Sequence, residues 1–268
     1  MEQVEVEGLR IAYERAGDGP PLVALQGFVG DARSTWSHQL EELSDEFTVV
    51  AWDTPGAGRS SDPPTWFRLP DYADCLLAFA RAVGLDRPHL VGLSFGGALA
   101  LEAYGRHPSF PRSLVLAGAY AGWAGSFELG EVEGRLRMCL RVAELSPDEF
   151  AEAMVPSMLS AGAPQEAVDE LKAGLRDFHP AGFRAMTRSS AEADLRHVLP
   201  GVDVPTLLLY GDQDVRAPRK VAEALHAGVP ASELIVMPGV GHVSPVESPV
   251  SFNREVRRFL RTLQAPTP

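Results

Sequence analysis

Six short apolar runs rich in Val and Leu punctuate the chain: PLVALQG at 21–27, FTVVAWD at 47–53, HLVGLS at 89–94, SLVLAGA at 113–119, TLLLYG at 206–211 and ELIVMPG at 233–239. Each is a continuous run bounded by turn residues, which predicts a strand buried on both faces. Between them lie segments whose apolar residues recur at helical spacing. LPDYADCLLAFARAVG at 69–84 has Pro70 at its start and Gly84 at its end, GGALALEAYGRHP at 96–108 stops at Pro108, and 217–229 and 248–263 supply two more helices. Strands alternating with helices predict an α/β fold, a mostly parallel sheet covered on both faces. The opening VEVEGLRIAYE alternates apolar and polar across a glycine, which suits an antiparallel hairpin at the sheet edge.

The alternation stops after Ala119 and resumes at Thr206. Consecutive helices are expected between these points, at about 131–145, 147–160, 164–178 and 180–193, punctuated by Pro147, Pro164 and Pro180. They are short and too poor in apolar residues to hold a large core alone, so they are expected to pack over the sheet as a cap. The expected division is a core of residues 1–122 and 198–268 with a helical cap at 123–197.

Composition narrows the class. With 268 residues, 45% of them hydrophobic, the chain can bury a sizeable core without staples. Its two cysteines, Cys75 and Cys139, stand far apart without a CxxC pattern, which excludes a disulfide framework or zinc knuckle. A net charge of -12 repels phosphate backbones, so no nucleic-acid partner is expected. The N-terminus MEQVEVEGLR lacks the basic-then-apolar order of a signal peptide, and no apolar run approaches the roughly 18–20 residues that span a bilayer. A soluble, cytoplasmic protein without a membrane partner is expected.

The chemistry centres on Gly92-Leu93-Ser94-Phe95-Gly96-Gly97, between a strand and a helix. A G-x-S-x-G string arises by chance in such a composition with a probability of about 0.15, so its position carries the weight. A sharp strand-to-helix turn strains the serine backbone and crowds the residues two before and two after it, and Gly92 and Gly96 are small enough to fit. Such a turn lifts the Ser94 hydroxyl above the sheet edge, at the positive end of the next helix. A hydroxyl needs a base, and the base needs an acceptor on its other nitrogen. Of seven histidines, His242 follows ELIVMPGVG at a strand's carboxyl end, where sites form in open α/β sheets. His38, His89, His107, His197 and His226 read as surface or cap positions, and His179 falls within the cap. TLLLYGDQDVRAP offers Asp212 and Asp214 just past another strand; Asp214 is assigned as the acceptor, with Asp212 the alternative that hydrogen-bonds the turn. The order Ser, Asp, His is that of an α/β-hydrolase.

Over essentially its whole length the sequence resembles the α/β-hydrolase family. The elbow GLSFGG, the acid loop YGDQDVRAP, the histidine loop PGVGHVSPVESP and the stretch WDTPGAGRSSDP at 52–63 all fall where that family has them. The segment HPAGFRAMTRSSAEADLRHVLPGVDVPTLLLYGDQD is also similar to the 3-oxoadipate enol-lactonase-like esterases and lactonases. The resemblance implies an oxyanion hole built from the backbone N–H groups of Phe28 and Phe95, with Gln26 standing where many members have His. A shifted loop there would misplace a donor, at a cost of roughly 3 kcal/mol in the transition state. It further implies acyl transfer on a small-molecule ester or lactone, with an acyl-enzyme on Ser94 and no metal or organic cofactor. Activity is expected to fall as the base histidine becomes protonated.

Substrate-contacting candidates are Gln26, Trp36, Tyr120, Trp123, Phe127 and Val243, together with Phe28 and Phe95, the aromatic ones suggesting an apolar acyl or aromatic pocket. Cap arginines Arg135, Arg137, Arg141, Arg184 and Arg188 are candidates for holding a carboxylate, with solvated helix faces as the alternative. A carbon–carbon bond hydrolase and a perhydrolase or haloperoxidase use the same triad. From another class, a ligand receptor on this fold would keep the site without turnover.

Overall fold

The structure, a computed structural model, describes residues 1–263. Its eight strands are β1 (Glu2–Val6), β2 (Leu9–Ala16), β3 (Pro21–Leu25), β4 (Thr48–Trp52), β5 (His89–Leu93), β6 (Ser113–Ala117), β7 (Thr206–Gly211) and β8 (Ser232–Met237). They form one sheet in the order β1-β2-β4-β3-β5-β6-β7-β8. The edge hairpin is present: β1 and β2 are antiparallel, joined at Glu7 and Gly8, which both take the positive φ that a two-residue hairpin turn needs. From β4 to β8 every pairing is parallel. All residues of β4, β5, β6 and β7 are buried, as their unbroken apolar runs require.

The four expected core helices are α2 (Leu69–Ala82), α3 (Phe95–Arg106), α8 (Arg219–Gly228) and α10 (Pro249–Thr262). The sequence pattern missed α1 (Ala32–Glu42). Its buried face is Ala32, Thr35, Trp36 and Gln39, so only one large apolar side chain marks it. Its signal lies in the cap instead: Asp31 Oδ1 accepts the Ser34 N–H at 2.7 Å while Ser34 Oγ accepts the Asp31 N–H at 2.9 Å. Burial of α1 is completed by α10, where Phe252 lies 6.1 Å from Trp36.

Between β6 and β7 run α4 (Leu129–Val142), α5 (Pro147–Met154), α6 (Gln165–Arg176) and α7 (Pro180–Glu192). Helix α5 stops short of residue 160 because Pro156 lacks an N–H to continue the ladder, and a 3-10 turn at Val155–Ser157 takes over. The inserted helices share an aromatic cluster: Phe150 stacks on Phe178 at 3.7 Å, and Phe183 meets both edge-on. Phe183 also meets Phe28, in the loop after β3, at 5.3 Å, so the cluster continues into the core below. Helix α6 rests on α1 and on the short α9 (Ser244–Glu247), and α7 rests on α2 and α3. None of the described helices is long and apolar enough to cross a membrane.

Candidate active site

The turn between β5 and α3 has the strain the sequence implies. Ser94 sits at φ 55°, ψ -111°, and its N–H donates to the Ala117 carbonyl at 2.8 Å. A Cβ on Gly92 would collide with the Gly96 backbone, and one on Gly96 with the Leu25 carbonyl, so the elbow closes only with glycine at both places. Ser94 therefore stands at the carboxyl edge of the sheet, at the start of α3, where the helix's unpaired N–H groups point.

The loop after β8 brings His242 to the same edge. His242 Nδ1 lies 2.8 Å from Asp214 Oδ2, with both side chains almost fully buried. The other oxygen of Asp214 accepts the N–H groups of Arg216 and Ala217, each at 2.8 Å. Three bonds thus fix one carboxylate, and an acceptor at Nδ1 keeps the proton there and leaves Nε2 with the lone pair. Asp212 is exposed and accepts the Gly239 N–H at 2.7 Å, tying the two loops together away from His242. Gly118, at the end of β6, lies directly beneath the pair: a Cβ there would sit 2.9 Å from His242 Nδ1 and 3.3 Å from Asp214 Oδ2.

The inserted segment holds the histidine from the other side. The Met158 carbonyl accepts the N–H groups of both His242 (2.8 Å) and Val243 (3.0 Å). Glu247, buried on α9, accepts the Gly241 N–H at 2.9 Å and the Ser160 N–H at 3.2 Å.

Ser94 and His242 line one narrow pocket with Phe28, Val29, Leu93, Met158, Leu171, Arg216 and Val243, among others. The space open to a water-sized sphere is about 20 Å³, enough for roughly one water molecule. Ser94 Oγ has no hydrogen-bond partner among the described residues, and neither do the N–H groups of Phe28, which lines the same pocket, and of Phe95, the next residue in the chain. The stretch 52–63 supports the Phe28 side. Asp53 accepts the Ala32 N–H with one oxygen and the Arg59 N–H with the other, both at 2.8 Å, and burial pushes its carboxyl up to about 6. At Gly56 this stretch touches Gly182 of α7 backbone to backbone.

Several sequence expectations for the pocket need correction. Gln26 does not face it: the side chain is fully buried, and in the orientation that satisfies both its atoms the amide bridges the Trp52 carbonyl and the Thr54 N–H. Trp36 is core, packed on Phe252. Tyr120 lies behind His242, ring to ring at 6.2 Å, with its hydroxyl pushed up by burial, and Phe127 lies farther out under the Arg135 guanidinium. Trp123 lines a neighbouring cavity with Arg135, Cys139, Ser157 and Arg216, and Phe95 turns its ring away to pack on Tyr72. Phe28 and Val243 do line the pocket. His89 is no surface residue; it is buried in β5 against Ser113, and burial holds its imidazole down at about 4. Among the cap arginines, Arg135 and Arg137 pair with Glu131 and Glu133, and Arg184 donates to the Ala143 carbonyl. None of the five lines the pocket; Arg216 does, two residues beyond Asp214. Periodicity gives no sign of it, because it lies in a loop.

Relatives are consistent with this geometry. A family model described as alpha/beta hydrolase fold matches residues 20–140, and one described as TAP-like protein matches residues 184–268. The human serine hydrolase BPHL is 30% identical over 97% of this chain and 86% of its own. The chain belongs to the α/β-hydrolase family, as an esterase-like hydrolase. Among solved structures, a thermophilic esterase from Thermogutta terrifontis, with malate bound, superposes with a TM-score of 0.90 at 28% identity, covering 99% of this chain and all of that one. The enol-lactonase from Burkholderia xenovorans LB400 shares the fold, with a TM-score of 0.88 over 97% of this chain and all of its own, at 21% identity.

Proposed function

We propose that this hydrolase cleaves a carboxylic ester or lactone through an acyl-enzyme on Ser94. The observation that carries this reading is the buried 2.8 Å bond between His242 Nδ1 and Asp214 Oδ2, in a pocket shared with an elbow serine whose hydroxyl has no other partner. Ser94 Oγ attacks the carbonyl as His242 Nε2 takes its proton, and Asp214 stabilises the imidazolium. The N–H groups of Phe28 and Phe95 bind the oxyanion, and neither has an acceptor to give up first. His242 then returns the proton to the leaving oxygen, and water releases the acyl group by the reverse steps. The inserted helices act as a cap, since Met158, Leu171 and Gly174 form the pocket wall contributed by the insertion.

The test is an aryl-ester, lactone and vinylogous-ketone panel run on the wild type and Ser94→Ala, beside stoichiometric labelling by an organophosphonate. Labelling of the wild type and a loss of at least about 10³-fold in kcat/KM on replacing Ser94 are expected. Wild-type turnover by Ser94→Ala would end the reading. Preference for the ketones would move the reaction to carbon–carbon cleavage, and acylation without release would favour a receptor.

A further inference from the structure

Arg216 is a permanent cation in a pocket that is otherwise largely apolar. The residue is 6% exposed. Its guanidinium lies 5.2 Å over the Phe28 ring, and Nη1 donates to Ser157 Oγ at 2.8 Å. Nε and Nη2 donate to no oxygen or nitrogen among the described residues; the Cys139 thiol, a weak acceptor, lies beside the guanidinium, and no carboxylate there pairs with it. Asp214, the acid two positions before it, is engaged by His242 and by the backbone of Arg216 and Ala217. A buried guanidinium without an anion is unfavourable, and an apolar side chain of similar volume would serve the fold as well or better. The free donors present the planar fork that matches a carboxylate. Arg216 stands in the wall between the pocket that holds Ser94 and His242 and the neighbouring cavity of Trp123, Cys139 and Ser157, and the Phe28, Leu93, Leu171 and Val243 of the first suit an intervening hydrocarbon chain.

We propose that Arg216 binds a carboxylate carried by the substrate, so that the preferred substrates are anionic esters, half-esters of dicarboxylic acids. The inference rests on the ester-hydrolase reading above and names its substrate class. Arg216 is the specificity-determining residue in it.

The experiment compares 4-nitrophenyl hydrogen glutarate with the uncharged 4-nitrophenyl pentanoate. The wild type should favour the anionic ester by about 10-fold or more in kcat/KM, the span expected of hydrogen bonds to a charged group. In Arg216→Met that ratio should fall to about 1, chiefly through KM for the anionic ester, with Arg216→Lys in between. Thermal melting checks that the variants fold, and Arg216→Met should melt no lower than the wild type. A merely structural arginine would lower the melting point and leave the ratio alone. Binding separates this proposal from the hydrolase reading: monomethyl glutarate, but not dimethyl glutarate, should bind Ser94→Ala in calorimetry, and adding Arg216→Met should abolish that binding. If neither ester is turned over but this Arg216-dependent binding appears, the hydrolase reading falls and the carboxylate site stands. Equal rates on the two esters, an unchanged ratio in Arg216→Met, or binding indifferent to Arg216 would overturn the proposal.

Discussion

The two halves of the site are held by different means. Ser94 is fixed by its own backbone and by glycines packed so tightly that no methyl fits between β5, α3 and the end of β3. His242 is fixed by partners distant in the chain, Asp214 on one side and Met158 on the other, with Glu247 tying its loop to the insertion. Steric exclusion gives a position that needs no other element to be in place. Hydrogen bonds from an insertion give one that depends on where the insertion sits, so the His242 half is the more easily disturbed.

Gly118→Ala should break the His242 half most severely. Its Cβ would press on His242 Nδ1 and Asp214 Oδ2, in a backbone conformation (φ +50°) that L side chains rarely adopt. A shift of the imidazole by about an ångström is expected to cost about 100-fold in kcat, read by steady-state kinetics. Normal turnover would show that the pair has slack. Glu247→Gln is the milder break. It removes a buried charge that accepts N–H groups from the histidine loop and from the insertion, and glutamine can replace only one oxygen. A drop of about 10-fold in kcat with little change in KM is expected; an unchanged kcat would mean that the Met158 carbonyl suffices to hold the loop.

The smallest effect on turnover, and the sharpest on stability, belongs to the Ser94 half. Burial raises Asp53 to about 6, so the folded chain takes up a proton between there and the ordinary carboxylate range that the unfolded chain does not, and stability from this group rises as pH falls. Burial lowers His89 to about 4, so from about 6.5 downward the unfolded chain binds the extra proton, and stability from this group falls with pH. Each contribution is on the order of 3 kcal/mol, and they oppose one another. Between pH 7.5 and 5, His89→Gln should therefore gain stability relative to the wild type and Asp53→Asn should lose it, in urea unfolding. Parallel pH dependence in all three proteins would contradict the assignment.

This contrast also explains what could be read from the chain. Backbone crowding leaves small residues at fixed spacing, so Gly92, Ser94 and Gly96 are visible as a string, and buried parallel strands are visible as unbroken apolar runs. The meeting of Asp214 with His242 was legible because both follow strand ends that lie along one edge of the sheet. Trp36 was misjudged because α1 carries too few apolar residues to show its period, which hid the helix that buries it. Gln26 and Arg216 were missed or misplaced because the aim of a loop side chain depends on partners far along the chain, here Trp52 and Thr54 for one and Ser157 for the other.

The carbonyl of Met158 is shared by the histidine and its neighbour, and the space beneath it admits roughly one water molecule. A displacement of the insertion that carried Met158 outward would unlatch two N–H groups of the histidine loop. The wall of the pocket and the seat of His242 thus hang on one residue.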